Sequence, residues 1–205
     1  MNFILGTAQF GLNYGISNNT GQIKINEAKK IINFCKESGI TNFDTAQAYG
    51  DSENILGSIL SENSIITTKI PLKIEDSISY KDWILKCLNK SLKSLNRKSI
   101  NSLLFHHSED LLNCSPKETN ELFFSLKSKK IINNIGVSIY DFDNLETILK
   151  NYSIDVVQVP FNIFDTRLTK QNWLVRMKNE GIQVHVRSAF LQGLLLMDHD
   201  KRNEY

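Results

Sequence analysis

The chain has 205 residues, with 24 Lys and Arg against 22 Asp and Glu for a net charge of +2, and 41% hydrophobic residues. That is an ordinary globular composition with room for a sizeable core. The scattered, nearly balanced charges exclude nucleic acid or an anionic membrane as the obvious partner, and no apolar run is long enough to span a bilayer. Cys35, Cys87 and Cys114 lie far apart with no paired spacing, and the first two fall in apolar helical patterns. They read as buried free thiols in a reducing cytoplasm.

From the amino terminus, Phe3 to Ala8 reads as a short buried strand ending at Gly6. Gly6, Gly11 and Gly15 around Asn13-Tyr14 then suggest a loop rather than a phosphate cradle. Glu27 to Ser38 is apolar at helical spacing and is stopped by Gly39. A strand over Ile40 to Asp44 follows, then a helix from about Ser52 to Leu60. The β-branched Ser64 to Ile70 is a strand closed by Pro71. Tyr80 to Leu95 carries Trp83, Ile84, Cys87, Leu88, Leu92 and Leu95 on one helical face. Ser102 to His106 is the next strand, and Ser115-Pro116 opens a helix over Lys117 to Lys129. Ile135 to Ser138, Val156 to Val159 and Ile182 to Ser188 are further strands, with helices over Phe142 to Leu149 and Leu168 to Asn179 between them. An apolar segment, Phe190 to Met197, comes last before a polar tail from Asp198 to Tyr205.

Seven strands alternating with helices predict a parallel sheet covered by helices, within one domain spanning residues 1–205. A doubly wound open sheet would accommodate that number. Polar residues at many strand ends favour the eight-stranded (β/α) barrel, whose active face is the carboxyl end of its strands and which typically needs roughly 250 residues. The expectation is therefore a TIM-type α/β barrel, incomplete, short at its carboxyl terminus and lacking the last βα unit.

Four residues stand at or just beyond successive predicted strand ends: Asp44, Tyr49, Lys69 and His106. A Tyr phenol, ordinarily near pKa 10, is a poor acid at neutral pH. An adjacent Lys69 ammonium would lower it, and Asp44 would fix the lysine. His106 would orient a carbonyl oxygen and, with Tyr49, stabilise charge developing there. The set suits protonation of an oxygen while hydride reaches carbon, and that hydride must come from a cofactor. No metal site is expected, since neighbouring strand residues such as His106 and His107 point to opposite faces.

The order Asp44-x4-Tyr49, Lys69 in Thr67-Thr68-Lys69-Ile70-Pro71 and His106 in Leu103-Leu104-Phe105-His106 resembles the aldo-keto reductases. The resemblance runs from Gly6-Thr7-Ala8 to Gln192-Gly193. It implies a (β/α)8 barrel, NADPH as cofactor (NADH being possible) and Tyr49 as proton donor supported by Asp44, Lys69 and His106. It also implies that Gly6, Thr7, Asp44, Ser138, Gln158, Asn162 and Ser188 lie beside the cofactor, with Ser138 and Gln158 on the carboxamide of its nicotinamide. His107 would face the substrate or solvent.

Two residues depart from the family pattern. Ile139 stands where an Asn is common, and Arg187 where an aromatic usually stacks on the nicotinamide, although a guanidinium also lies flat against a ring. The segment that usually binds the adenosine phosphate has no counterpart. The expected function is reduction of a small aldehyde, ketone or sugar in the cytoplasm, with no nucleic-acid or membrane partner. No motif indicates an oligomeric state. Two alternatives are a non-catalytic barrel that binds or regulates, and an isomerase or epimerase using Tyr49 and His106 as an acid–base pair.

Overall fold

A computed structural model describes residues 3–74, 77–170, 172–198 and 200. Its strands are β1 (Ile4–Gly6), β2 (Asn42–Asp44), β3 (Ile65–Ile70), β4 (Ile100–Phe105), β5 (Ile132–Ser138), β6 (Val156–Pro160) and β7 (Gln183–Arg187). They form one sheet in the order β1-β2-β3-β4-β5-β6-β7, and every neighbouring pair is parallel.

That order decides the architecture. Each strand is added on the same side of its predecessor, and crossovers between parallel strands are right-handed. All helices therefore fall on one face, and the other face has only itself to cover it, so the sheet curls. A doubly wound sheet would reverse its strand order at a switch point. These strands show no reversal, and the seven of them make an incomplete (β/α) barrel.

The helices are α1 (Ala8–Gly11), α2 (Ile25–Glu37), α3 (Ser52–Ile59), α4 (Tyr80–Ser94), α5 (Ser108–Leu112), α6 (Pro116–Ser128), α7 (Leu145–Asn151), α8 (Arg167–Lys170) and α9 (Trp173–Asn179). The main core lies between them and the outer face of the sheet. Phe43, Ile66, Leu103, Phe105, Ile135, Val137, Val157 and Val159 meet Ile32, Leu56, Leu88, Phe123, Ile148 and Met177 there, all buried. In α4 the apolar positions fall on one stripe, and Ser79 caps the helix by accepting from the Asp82 amide at 3.1 Å.

Four helices return the chain to a strand through one device. After α2, α4, α6 and α9 a residue turns left-handed (Gly39, Asn96, Lys130 and Gly181), and the next amide reaches back to the helix. These return bonds run Ile40 to Cys35 at 2.8 Å, Arg97 to Leu92 at 2.9 Å, Ile131 to Leu126 at 3.1 Å and Ile182 to Met177 at 2.8 Å. They satisfy carbonyls that the helix end would leave unpaired.

Several elements differ from the sequence expectation. The loop around Gly11 opens with a helix, α1, and α5 stands where the sequence pattern predicts none. The helix expected over Leu168 to Asn179 is two, α8 and α9, because Asn172 is left-handed with φ 57°. β4 and β5 begin two and three residues early and take in Asn101, Asn133 and Asn134. Asparagine is depleted in strands, but here Asn133 donates to Asn101 at 3.1 Å and Asn134 to Ser102 at 3.3 Å across the pair. The apolar Phe190 to Met197 holds a 3-10 segment, Leu191–Leu196, interrupted by left-handed Gln192 and Gly193. Most of the polar tail lies outside the described residues.

Candidate active site

Residues in register on parallel strands share a face, so register identifies the barrel interior. Gly6 pairs with Asp44, Asp44 with Thr67 and Lys69 with Leu104. Ser138 pairs with Gln158 and Gln158 with His185. The carboxyl end of this inner face is thus polar, unlike the core outside it.

Lys69 anchors the site. Its side chain is fully buried, and Nζ donates to Asp44 Oδ2 at 2.6 Å, to the Thr45 carbonyl at 2.9 Å and to the Tyr49 hydroxyl at 3.5 Å. A buried ammonium is tolerated only with this kind of pairing. The same Nζ lies 5.0 Å from the centre of the Tyr49 ring. Tyr49 meets the His106 ring edge-on with centroids 5.7 Å apart. Asp44, Tyr49, Lys69 and His106 therefore form one contiguous cluster.

The loop that carries Tyr49 is set by a backbone contact. A Cβ on Gly11 would stand 1.7 Å from the Tyr49 carbonyl oxygen, and one on Gly50 would stand 2.3 Å from the Gly11 carbonyl. Only glycine at both positions allows α1 to press against this loop. Beneath it, the Ser52 hydroxyl joins Thr7 and Thr45 at 2.9 and 3.0 Å, and Thr7 Oγ1 also donates to the Asp44 carbonyl at 2.9 Å. Thr7 is fully buried, and its hydroxyl is committed to holding β1, β2 and α3 together.

The electrostatics differ from the sequence expectation at Tyr49. Burial, followed by the Asp44 carboxylate, raises its phenol well above the ordinary value, while Arg187 pulls the other way. The sequence predicts a phenol lowered by Lys69; the net direction is upward, because desolvation and a nearby carboxylate dominate. His106 is pushed down to about 4, first by burial and then by Lys69. It is therefore a neutral imidazole at neutral pH, and its buried Nδ1 has no partner among the described residues. His106 follows the end of β4, so the alternation expected of strand residues fails there. Its ring lies beside that of His107, with centroids 5.3 Å apart.

The remaining candidates ring this cluster. Ser138 and Gln158 are buried. A Cβ on Gly6 would meet nothing within 4 Å, so open space adjoins Asp44 on the inner face. Asn162 shapes the loop after β6, accepting from the Phe164 and Asp165 amides at 2.9 and 3.0 Å and donating to the Ser188 carbonyl at 3.3 Å. Ser188 itself is left-handed, with φ 59°. Arg187 donates to the Ile139 carbonyl at 3.0 Å, and its guanidinium lies 4.2 Å from the centre of the Tyr140 ring. Sequence reasoning misses His185, half-buried in register with Gln158, lowered by burial, its buried Nδ1 without a partner among the described residues. Its place in an alternating strand is the available signal.

The three cysteines are buried and free, and burial pushes Cys87 up to about 11 and Cys114 to about 12. Among the described residues no helix is long and apolar enough to cross a membrane.

Known proteins share the fold and about a quarter of the sequence. The model of the Aldo/keto reductase family matches residues 2–205. Two curated relatives come from Bacillus subtilis. The uncharacterized oxidoreductase YqkF is 28% identical over 183 residues, which cover 83% of this protein and 58% of YqkF. Glyoxal reductase is 28% identical over 176 residues, covering 83% of this protein and 61% of the relative. The chain thus spans about three-fifths of the length of these relatives. The holo form of the aldo-keto reductase AKR11C1 from Bacillus halodurans superposes with a TM-score of 0.79 at 23% identity, over 100% of this protein and 67% of that one.

Proposed function

The chain belongs to the aldo/keto reductase family, and from that premise we propose that it reduces the carbonyl of a small aldehyde, ketone or sugar with NADPH. The observation that supports this reading is the fully buried Lys69 ammonium, bonded at once to Asp44 and to the Tyr49 hydroxyl.

The residues fit a nicotinamide cofactor. Gly6 leaves open space on the face that Asp44 occupies, and polar Ser138 and Gln158 stand in register inside the barrel. Ser138 and Gln158 would hold the ring's amide, with Asn162, Ser188 and Arg187 beside the cofactor. When bound, the cofactor supplies the hydride.

Tyr49 provides the proton. A phenol is protonated at neutral pH and burial raises this one further, so the acid is in its donating form. As the carbonyl carbon gains hydride, negative charge grows on its oxygen, and the Tyr49 proton passes to it to give the alcohol. The phenolate left behind faces the Lys69 ammonium, whose position Asp44 fixes. The ammonium offsets part of the cost that burial and the Asp44 carboxylate impose on this late charge. His106, neutral at neutral pH, is a hydrogen-bond donor to the same oxygen through one ring nitrogen.

The three buried, free thiols suit a reducing compartment, which supports a cytoplasmic reading. The test is binding of NADPH and NADH by nicotinamide fluorescence, together with carbonyl-dependent oxidation, for the wild-type protein and for Tyr49→Phe. Binding by both, with oxidation lost only in the variant, is the expected result. Failure of the folded wild type to bind either dinucleotide would sink the reductase reading and leave a non-catalytic barrel.

A further inference from the structure

Among the described residues, Arg187 is a cation without a counter-ion. It follows His185 by two residues in β7, and His185 registers with Gln158, so Arg187 lies on the inner side at the carboxyl end of the barrel. One guanidinium nitrogen donates to the Ile139 carbonyl, and the Tyr140 ring supports the group 4.2 Å away. Its Nε is buried and has no hydrogen-bond partner among the described residues. Asp165 feels its charge but is committed to Arg167 at 2.7 Å. The same charge is felt at both Tyr49 and His106, so the guanidinium acts electrostatically on the end of the barrel that carries the proposed proton donor.

A partly buried guanidinium is costly when unpaired, and its planar fork matches a carboxylate or phosphate. Here the fork is held by a backbone carbonyl and an aromatic face, so it is already ordered. We propose that Arg187 binds an anionic group of the substrate, so that this protein acts on carbonyl compounds carrying a carboxylate or phosphate in preference to neutral ones. This rests on the reductase reading of the same site. It differs from a flat surface for the nicotinamide ring, because a stacking role would affect charged and neutral substrates alike.

The test uses two matched pairs, 4-oxobutanoate against butanal and glyceraldehyde 3-phosphate against glyceraldehyde. Wild type favours the anionic member of at least one pair in kcat/KM, and the pair that shows the preference identifies carboxylate or phosphate. Arg187→Met lowers that preference by about tenfold or more, the usual worth of a hydrogen bond to a charged group. Arg187→Lys, which keeps the charge and loses the fork, falls between them and carries the test if the methionine variant does not fold. A second readout needs no turnover. Ligand-observed NMR compares 4-hydroxybutanoate with 1-butanol, and glycerol 3-phosphate with glycerol, on the wild-type protein and on Arg187→Met. Anion-selective binding lost in the variant upholds the proposal even if no carbonyl is reduced, in which case the reductase reading alone fails. An equal loss on both members of each pair would overturn it, as would a wild type with no preference for the anion in either measurement.

Discussion

Gln158 on β6 donates to Asp44 on β2 at 2.9 Å, joining strands four places apart in the sheet. Such a bond requires the curl of a barrel. It also completes Asp44: one carboxylate oxygen faces Gln158, and the other faces Lys69 at 2.6 Å. The carboxylate is thus both the counter-ion of a buried cation and the link across the barrel mouth.

Asp44→Asn should therefore be a stability variant as well as an activity variant. It leaves the buried Lys69 ammonium without an anion, and breaking a buried pair from one side costs about 3–5 kcal/mol. Urea unfolding reads this directly. The double variant Asp44→Asn with Lys69→Met removes the stranded charge and should recover a large part of the loss, while carbonyl reduction stays abolished. If the double variant is as unstable as Asp44→Asn alone, Lys69 is not the reason for the penalty.

The alternation of strands and helices is legible because β-branched runs and apolar stripes survive in the sequence. The bounds read there for β3 and α4 lie within a residue or two of those observed. The four clustered residues are legible because each lies at or just past a strand end. What is not legible depends on partners distant in sequence. Gly11 reads as a loop glycine until the Tyr49 carbonyl is seen pressed against it. Asn101 and Asn133 belong to strands because each meets the other. Gly39 marks a helix end in the sequence, but the same left-handed turn at Lys130 carries no such mark.

Lys130 consequently offers a test of that shared helix ending. A side chain in the left-handed region costs roughly 1 kcal/mol, which glycine avoids, although glycine loses more freedom on folding. Lys130→Gly should stabilise the protein by up to about 1 kcal/mol. Gly39→Ala, at the equivalent turn, should destabilise it by a similar amount. Thermal or urea midpoints of the two variants would move in opposite directions; movement in the same direction would show that the two turns are not equivalent.

Stability should fall as the solution is acidified below about pH 6.5. His106 titrates near 4 when folded, against an ordinary value of about 6.5. The unfolded state takes up its proton first, so the contribution is complete above about 6.5 and is lost progressively as pH falls towards about 4. A difference of this size corresponds to stability on the order of 3 kcal/mol. His185, also lowered by burial, adds in the same direction. Urea unfolding between about pH 4 and pH 7 should show this slope. His106→Asn should remove most of it while leaving the part that His185 contributes. An unchanged slope would assign the acid sensitivity elsewhere.

Gly11→Ala tests whether α1 sets the position of Tyr49. The new methyl group would fall 1.7 Å from the Tyr49 carbonyl oxygen, a distance no real Cβ contact holds. The clash is with backbone, so the loop must move and take the phenol with it. Tyr49 lies 3.5 Å from the Lys69 ammonium, already at the long end of a hydrogen bond. A shift of about 1 Å would break that contact and misplace the acid, enough to cost on the order of 100-fold in turnover. Dinucleotide binding should change far less, since the groups proposed for it lie mainly on β5, β6 and β7 and the loops that follow them. A variant that binds NADPH but turns over slowly would support this positioning role. Full activity would show that the loop relaxes without moving the phenol.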